Sequence, residues 1–225
     1  MTLLMYSGGM DSYIAWKFLR EPETIYFDFG HRYSEWEKLA IEQTIPDTII
    51  DSSINLSQWE EPDANIPLRN AFLIMMASNY DKDLVLVVQR GEMSIPDRSY
   101  PFFSKFGAWL TWMRGEGKSY TISSPFFNLT KTEMVRWYVD EGHDVEQLLL
   151  TRSCFSEVGL PCGQCGACFR RWVALTNNDL EEEYTNNILE WDHISDYVEK
   201  MKKGMYDELR TKETFKALQA AGYMV

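Results

Sequence analysis

Leu3-Leu4-Met5-Tyr6-Ser7-Gly8-Gly9-Met10-Asp11-Ser12 is the stretch that decides the fold. The apolar run Leu3 to Tyr6 ends abruptly at Ser-Gly-Gly, which reads as a buried strand running into a tight turn. Asp11 and Ser12 can cap a following helix that places Ile14, Ala15, Phe18 and Leu19 on one face. Two adjacent glycines let the backbone turn sharply and approach a ligand closely. A helix N-terminus at that point presents unpaired N–H groups and a partial positive charge. The hydroxyls of Ser7 and Ser12 add donors, so the loop suits a phosphate or a pyrophosphate. Asp11 would repel an anion directly and is better read as a Mg²⁺ ligand. A bare Ser-Gly-Gly would be no more than a strand-to-helix turn. The whole hexapeptide, placed at the end of the first strand, favours a phosphate loop.

Working outward, strands are expected at Thr24 to Phe27 and Thr48 to Ile50, with a helix at Ser34 to Gln43 between them. Leu68 to Tyr80, preceded by Pro67, reads as a helix. Leu84 to Val88 is a continuous aliphatic run, as a central parallel strand would be. Glu92 to Arg98 reads as a loop, Phe102 to Met113 as an aromatic-rich helix that is mostly core, and Tyr120 to Ser123 as a fifth strand. Thr130-Lys131-Thr132-Glu133 fits a capping box opening a helix through Asp140. Strands alternating with helices predict an α/β fold, a doubly wound parallel five-stranded sheet with a C-terminal metal-bound helical region. Ile188, Trp191, Ile194, Val198 and Met201 recur at three- and four-residue steps, so the tail is helical, with a break near Gly204.

The 225 residues carry a net charge of −12, and 45% are apolar. That composition is ordinary for a globular chain and argues against disorder, collagen or a disulfide scaffold. Strong acidity disfavours broad nucleic-acid binding, although a local basic patch remains compatible with it. No apolar run is long enough for a transmembrane helix. The start has no basic n-region, so no signal peptide is read and a cytoplasmic location is expected.

All four cysteines lie in Cys154-x₇-Cys162-x₂-Cys165-x₂-Cys168. Two disulfides in so short a stretch would staple little of the chain. Four soft ligands with two CxxC steps suit tetrahedral Zn²⁺ in a closed, structural site, helped by turns at Gly163 and Gly166. An iron–sulfur cluster and reactive thiols are the alternatives. Arg170 and Arg171 would offset the site's negative charge.

The hexapeptide resembles the SGGxDS loop of the PP-loop ATP pyrophosphatases, which cleave ATP between the α- and β-phosphates and adenylate a substrate oxygen. With the cysteine group it resembles the 7-cyano-7-deazaguanine synthase (QueC) family, over roughly residues 2 to 175. Phe27-Asp28-Phe29-Gly30-His31-Arg32-Tyr33 with Glu35 resembles the family's FDYGQRH-x-x-E. Pro67-Leu68-Arg69-Asn70 resembles PGRN, and Ile95-Pro96-Asp97-Arg98 part of YPDCR. Ser124-Pro125 through Lys131-Thr132-Glu133-Met134-Val135 resembles P-x-x-x-x-x-KxEIV, and Thr151-Arg152-Ser153-Cys154 resembles TWSC. The family's cysteine in YPDCR is absent, since Ser99 follows Arg98.

The resemblance implies an ATP-binding α/β domain over 1–150, a cysteine region over 151–178 and a helical extension over 179–225. It implies an ATP-dependent C–N ligase of queuosine biosynthesis with ATP, Mg²⁺ and Zn²⁺. The carboxylate of 7-carboxy-7-deazaguanine would be adenylated, converted by ammonia to the amide, and activated again to give the nitrile. Ser7, Gly8, Gly9, Asp11 and Ser12 would hold phosphates and Mg²⁺, and Lys131 would face the phosphates, with Asp11 and Lys131 as the catalytic pair. Arg69 and Asn70 would contact nucleotide or substrate. His31 and Arg32, at the carboxyl edge of the sheet, would bind substrate. Asp97 and Arg98 would recognise the base, because a carboxylate can accept two bonds from a guanine-like edge. The ordinary readings are surface lysine for Lys131, helix start for Arg69 and Asn70, loop for His31 and Arg32, and turn for Asp97 and Arg98. His143 and His193 have no ligand-like spacing.

The tail is longer than the family's usual ending and suggests a protein partner or a homodimer contact. Three other functions stay open at this stage. One is a diverged ligase joining the activated deazaguanine acid to another amine, in nucleic-acid modification or an antiphage system. Another is a tRNA-modifying PP-loop enzyme, and the last is a non-catalytic zinc-stabilised binding module.

Overall fold

Successive residues of a strand point to opposite faces of its sheet, so the apolar run after Met1 needs cover on both sides. In a computed structural model that describes residues 2–115, 117–156 and 159–224, β1 (Thr2–Met5) is the middle of five parallel strands. It leads into α1 (Met10–Phe18), β2 (Glu23–Phe27), α2 (Ser34–Thr44), β3 (Ile49–Asp51), α3 (Arg69–Ala77), β4 (Asp83–Val85), α4 (Tyr100–Arg114) and β5 (Thr121–Ser123). Then follow α5 (Lys131–Asp140), α6 (Val145–Leu149), α7 (Gly166–Thr176), α8 (Ile194–Lys202) and α9 (Glu208–Ala220).

Leu4, Tyr6, Tyr26 and Val85 pack with Ile14 of α1 and with Met134, Val135 and Tyr138 of α5. Leu3, Met5, Ile25 and Leu84 turn the other way, onto Ile74 of α3 and Phe103 and Leu110 of α4. The sheet is therefore doubly wound, as its sequence pattern predicts. Spatial order β3-β2-β1-β4-β5 means that the chain winds to one side of β1 first and to the other side afterwards. The crevice between β1 and β4, at their carboxyl ends, is the switch point where open α/β sheets bind ligands.

Several elements differ from the sequence expectation. α1 begins at Met10, because Gly9 is extended (φ −86°, ψ 159°) and takes the N-cap position itself. Asp11 and Ser12 therefore sit in the first turn and neither side chain caps the helix. The β4 ladder closes at Val85, but the chain beyond it stays extended: the Leu86 amide donates to the Ser123 carbonyl (3.1 Å) and the Val88 amide to Ser124 Oγ (2.9 Å). α4 buries Phe103 and Leu110, whereas Tyr100, Trp109, Trp112 and Met113 are exposed, so only one stripe of its aromatic run is core. α6 is too short to show a period and was not legible.

All five apolar residues of the tail stripe are buried. Trp191, Ile194 and Val198 pack with Ala217 and Leu218 of α9 against Phe169 and Val173 of α7. Gly204, at φ +71°, turns the chain between α8 and α9. The apolar stripe of the tail is thus covered by the chain's own α7. No helix among the described residues is long and apolar enough to cross a membrane.

Candidate active site and cysteine centre

The loop from Ser7 to Ser12 is built by backbone conformations that its residues permit. Gly8 has φ +69°, and a Cβ there would lie 2.7 Å from the Glu37 carbonyl oxygen, so a side chain is excluded twice over. Ser12 Oγ donates to the Gly9 carbonyl (3.0 Å) and accepts from the Ser7 amide (3.3 Å), which folds the loop onto the first turn of α1. Ser7, Asp11 and Ser12 line a cavity of about 200 Å³ at the switch point. Among the described residues, the Arg152 amide also ties the loop to the segment leading into Cys154, by donating to the Gly8 carbonyl (2.8 Å).

Lys131 is the first residue of α5. Thr130 caps that helix: its hydroxyl accepts from the Glu133 amide (3.2 Å) while the Glu133 carboxylate accepts from the Thr130 amide (2.8 Å). This capping box, read in the sequence, aims the Lys131 ammonium at Asp11, and the two form an ion pair. Burial pushes the ammonium below its usual range, and Asp11 opposes that shift. The Asp11 carboxylate keeps 28% of its side-chain surface and borders the cavity with Ser7 and Ser12. One carboxylate facing a phosphate-sized space fits a hard cation that takes its other ligands from substrate oxygens and water.

The rest of the cavity wall comes from three crossovers. His31 is 4% exposed; its Nε2 lies 2.8 Å from Glu37 Oε2, which also accepts from the Tyr26 hydroxyl (2.8 Å). Its Nδ1 is buried with no hydrogen-bond partner among the described residues, and so has capacity for a ligand. Arg69 donates to the Tyr33 hydroxyl (3.3 Å), and burial pushes that phenol up to about 12. Arg98 pairs with Glu92 (2.6 Å). Arg69, Asn70 and Arg98 border both this cavity and a second one of about 240 Å³, where Asp97 lies with Phe155. Asn70 joins the walls by donating to the Asp97 carbonyl (3.4 Å). The chain therefore brings the loop, His31, Arg69, Asn70, Asp97 and Arg98 into one connected region.

Arg32 is not brought there. Its Nε donates to Glu60 Oε1 (2.7 Å) and its terminal nitrogen to the Glu61 (2.7 Å) and Pro62 (3.1 Å) carbonyls, which clamps the loop over 60–62. The Glu35 side chain is 81% exposed and pairs with Lys38, while Glu37, two residues on, reaches His31. A helix turns by about 100° per residue, so these two carboxylates face different ways. Arg171 does not offset the cysteines' charge. It is 1% exposed, pairs with Glu182 (2.8 Å) and donates to Thr151 Oγ1 (2.7 Å), which fixes the turn before Cys154.

One sulfur from each of the four cysteines lies within 4.8 Å of every other, and none is disulfide-bonded. Cys162 and Cys168 Sγ are 3.9 Å apart. Tetrahedral coordination with metal–sulfur bonds of ~2.3 Å demands sulfur separations of about 3.8 Å, so the cluster fits a metal. Backbone amides already point at the sulfurs: Ser156 and Cys162 donate to Cys154 (3.2 and 3.3 Å), Gln164 to Cys162 (3.3 Å) and Cys168 to Cys165 (3.4 Å). Burial pushes the Cys162 thiol up to about 12, while hydrogen bonds from Cys154 and Cys168 hold Cys165 well below the usual range. A bound cation reverses the first of these tendencies by stabilising thiolates. Gly163, at φ +71°, makes the knuckle; a Cβ there would meet the Asn186 carbonyl oxygen at 2.2 Å.

A sequence model of the family described as "Queuosine biosynthesis protein QueC" matches residues 39–179. The chain is also similar to proteins named 7-cyano-7-deazaguanine synthase. The one from Methanosphaerula palustris is 26% identical, over 79% of this chain and 95% of its own length. Those from Persephonella marina and Aquifex aeolicus are each 25% identical, over 81% and 77% of this chain and 95% of their own lengths.

Proposed function

The chain belongs to the QueC family, and from that membership and the cavity's make-up we propose that it converts 7-carboxy-7-deazaguanine, ATP and ammonia into 7-cyano-7-deazaguanine. One observation carries the reading: Ser7, Asp11 and Ser12 share a cavity wall with His31, Arg69, Asn70 and Arg98. A polyphosphate at the loop and a planar heterocycle near Asp97 would then meet in one connected space.

The chemistry needs this juxtaposition. A carboxylate is a poor electrophile until one of its oxygens becomes part of a good leaving group. The substrate carboxylate attacks the α-phosphorus, the bond to the β-phosphate oxygen breaks, and pyrophosphate departs. Ammonia attacks the acyl carbon, AMP leaves with the former carboxylate oxygen, and the amide forms with loss of a proton. In a second cycle the amide oxygen is adenylated; loss of AMP and of the amide protons leaves the nitrile.

The loop amides and the Ser7 and Ser12 hydroxyls bind the phosphates, and Lys131 neutralises charge that builds on them. Asp11 would hold Mg²⁺, which supplies further charge neutralisation when bound. His31, fixed through Nε2 by Glu37, presents Nδ1 to the substrate. Asp97 accepts from the amino and ring N–H groups of the base, and Arg69 and Asn70 set the angle between base and phosphates. The four cysteines hold Zn²⁺ in a structural role, because a set of four thiolates leaves no open coordination position.

Incubation of the pure protein with ATP, Mg²⁺, ammonium and 7-carboxy-7-deazaguanine, read by mass spectrometry, tests this. The expected products are the nitrile, AMP and pyrophosphate. Accumulation of amide alone would reassign the chain as a ligase that stops after one cycle. Absence of AMP under these conditions would refute the substrate.

A further inference from the structure

A line of charged side chains runs away from the phosphate loop across four packed helices. Asp11 is on α1, Lys131 on α5, Arg170 on α7 and Arg210 on α9, and α1 packs on α5, α5 on α7, and α7 on α9. Lys131, Arg170 and Arg210 line one narrow cavity, which the Asp11–Lys131 ion pair joins to the phosphate loop. α9 lies outside residues 39–179, the stretch that the family's sequence model covers.

The ion pairs around this cavity leave two cations over. Arg90 is held by Asp207 (3.0 Å), Lys131 by Asp11 and Arg98 by Glu92 (2.6 Å). Among the described residues no carboxylate pairs with the guanidinium of Arg170 or of Arg210. Tyr197, Glu92 and Asp11 attract Arg170 without a salt bridge, and Arg210 lies over the Tyr206 ring at 4.8 Å. Glu213 also borders the cavity, but its carboxylate accepts from the Thr130 hydroxyl (2.7 Å), and burial holds it above the usual carboxylate range. Burial and the neighbouring Arg170 charge hold Arg210 below its usual range. Despite burial, Tyr197, Glu92 and Asp11 hold Arg170 above its usual range, whereas Arg210 stays below its own beside that second guanidinium, a penalty that an entering anion would relieve. The free space is about 30 Å³, roughly two water-sized spheres at ~10–15 Å³ each, which suits the terminal oxygens of a phosphate group and not a nucleoside.

The geometry points to Arg170 and Arg210 as a clamp that takes the terminal phosphate oxygens of ATP bound at Ser7 to Ser12 and then holds the departing pyrophosphate. This rests on the reading that the loop binds ATP. It makes the C-terminal extension part of the active site, with α9 supplying one cation from beyond the sheet. The planar fork of arginine can bind two phosphate oxygens at once, which a lysine in its place could not match.

Titration calorimetry of the full chain with magnesium pyrophosphate, and separately with AMP, tests the clamp. Arg210→Gln should weaken pyrophosphate about ten- to hundredfold, as loss of one charge-assisted contact predicts, and leave AMP affinity unchanged. Arg210→Lys should recover part of that loss, and Arg170→Gln should repeat the defect independently, so a folding failure of one variant does not decide the matter. In turnover, the KM for ATP should rise more than kcat falls. Pyrophosphate binding by folded Arg210→Gln and Arg170→Gln at wild-type strength would overturn the clamp while leaving the ATP reading intact. A wild-type protein that binds neither pyrophosphate nor ATP would overturn both.

Discussion

The two ends of the cavity, which we propose as the phosphate end and the base end, are built in different ways. The floor of the phosphate end is one hexapeptide, shaped by backbone conformation and by Gly8, where a Cβ would lie 2.7 Å from a carbonyl oxygen, and Lys131, Arg170 and Arg210 stand behind it on separate helices. The base end is assembled from side chains on three crossovers: His31 after β2, Arg69 and Asn70 at the start of α3, and Asp97 and Arg98 after β4. Polyphosphate is the same in every ATP-using reaction, so a rigid backbone cradle serves it. A base is distinguished by its edge pattern, so its contacts are side chains that can be exchanged one at a time without disturbing the cradle.

The strongest test of that division is Asp11→Asn. Asn keeps an acceptor for Lys131 but removes the charge that would hold the cation. Turnover should fall by at least ~10²–10³-fold with every acid offered, as for loss of a transition-state electrostatic contact. Retained AMP release would sever the loop from catalysis. Next in size, Cys165→Ser should lose bound metal and more than about 3 kcal/mol of stability together, because a structural metal contributes folding free energy directly. It should also weaken ATP binding, since the Arg152 amide ties that segment to Gly8. Metal analysis with a thermal melt checks both, and unchanged stability without metal would remove the structural role.

Asp97→Asn should act at the base end alone. The KM for the deazaguanine acid should rise about 10- to 100-fold, from loss of a charge-assisted pair, with the KM for ATP unchanged. Equal rises in both would erase the distinction between the two ends. The smallest effect concerns Leu68. It sits at φ +61° as the N-cap of α3, at the place where the PGRN motif has glycine. An L-residue there costs roughly 1–2 kcal/mol, so Leu68→Gly should raise the melting temperature modestly and leave turnover intact.

The same contrast explains what could be read from sequence. The loop, the cysteines and the capping box that places Lys131 are contiguous signals, and their placement in the fold follows from spacing. The sheet was legible because its strands are short apolar runs between turn residues. His31 and Arg32 are neighbours in sequence, yet one is buried beside Glu37 and the other clamps Glu60, and no local pattern separates them. Arg210 is one basic residue in a charged helix; only the packing of α9 on α7 brings it to Lys131. The tail's apolar stripe was visible, but a period gives a face and not its occupant. The occupant is α7 of the same chain.

The central claim is that ATP is used to activate an oxygen of the bound acid. Turnover of 7-carboxy-7-deazaguanine labelled with ¹⁸O in its carboxylate, followed by mass spectrometry of the nucleotide, tests it directly. Transfer of the carboxylate oxygen into the phosphate of AMP is the predicted result. Product formation with unlabelled AMP, or with ADP in its place, would contradict the account.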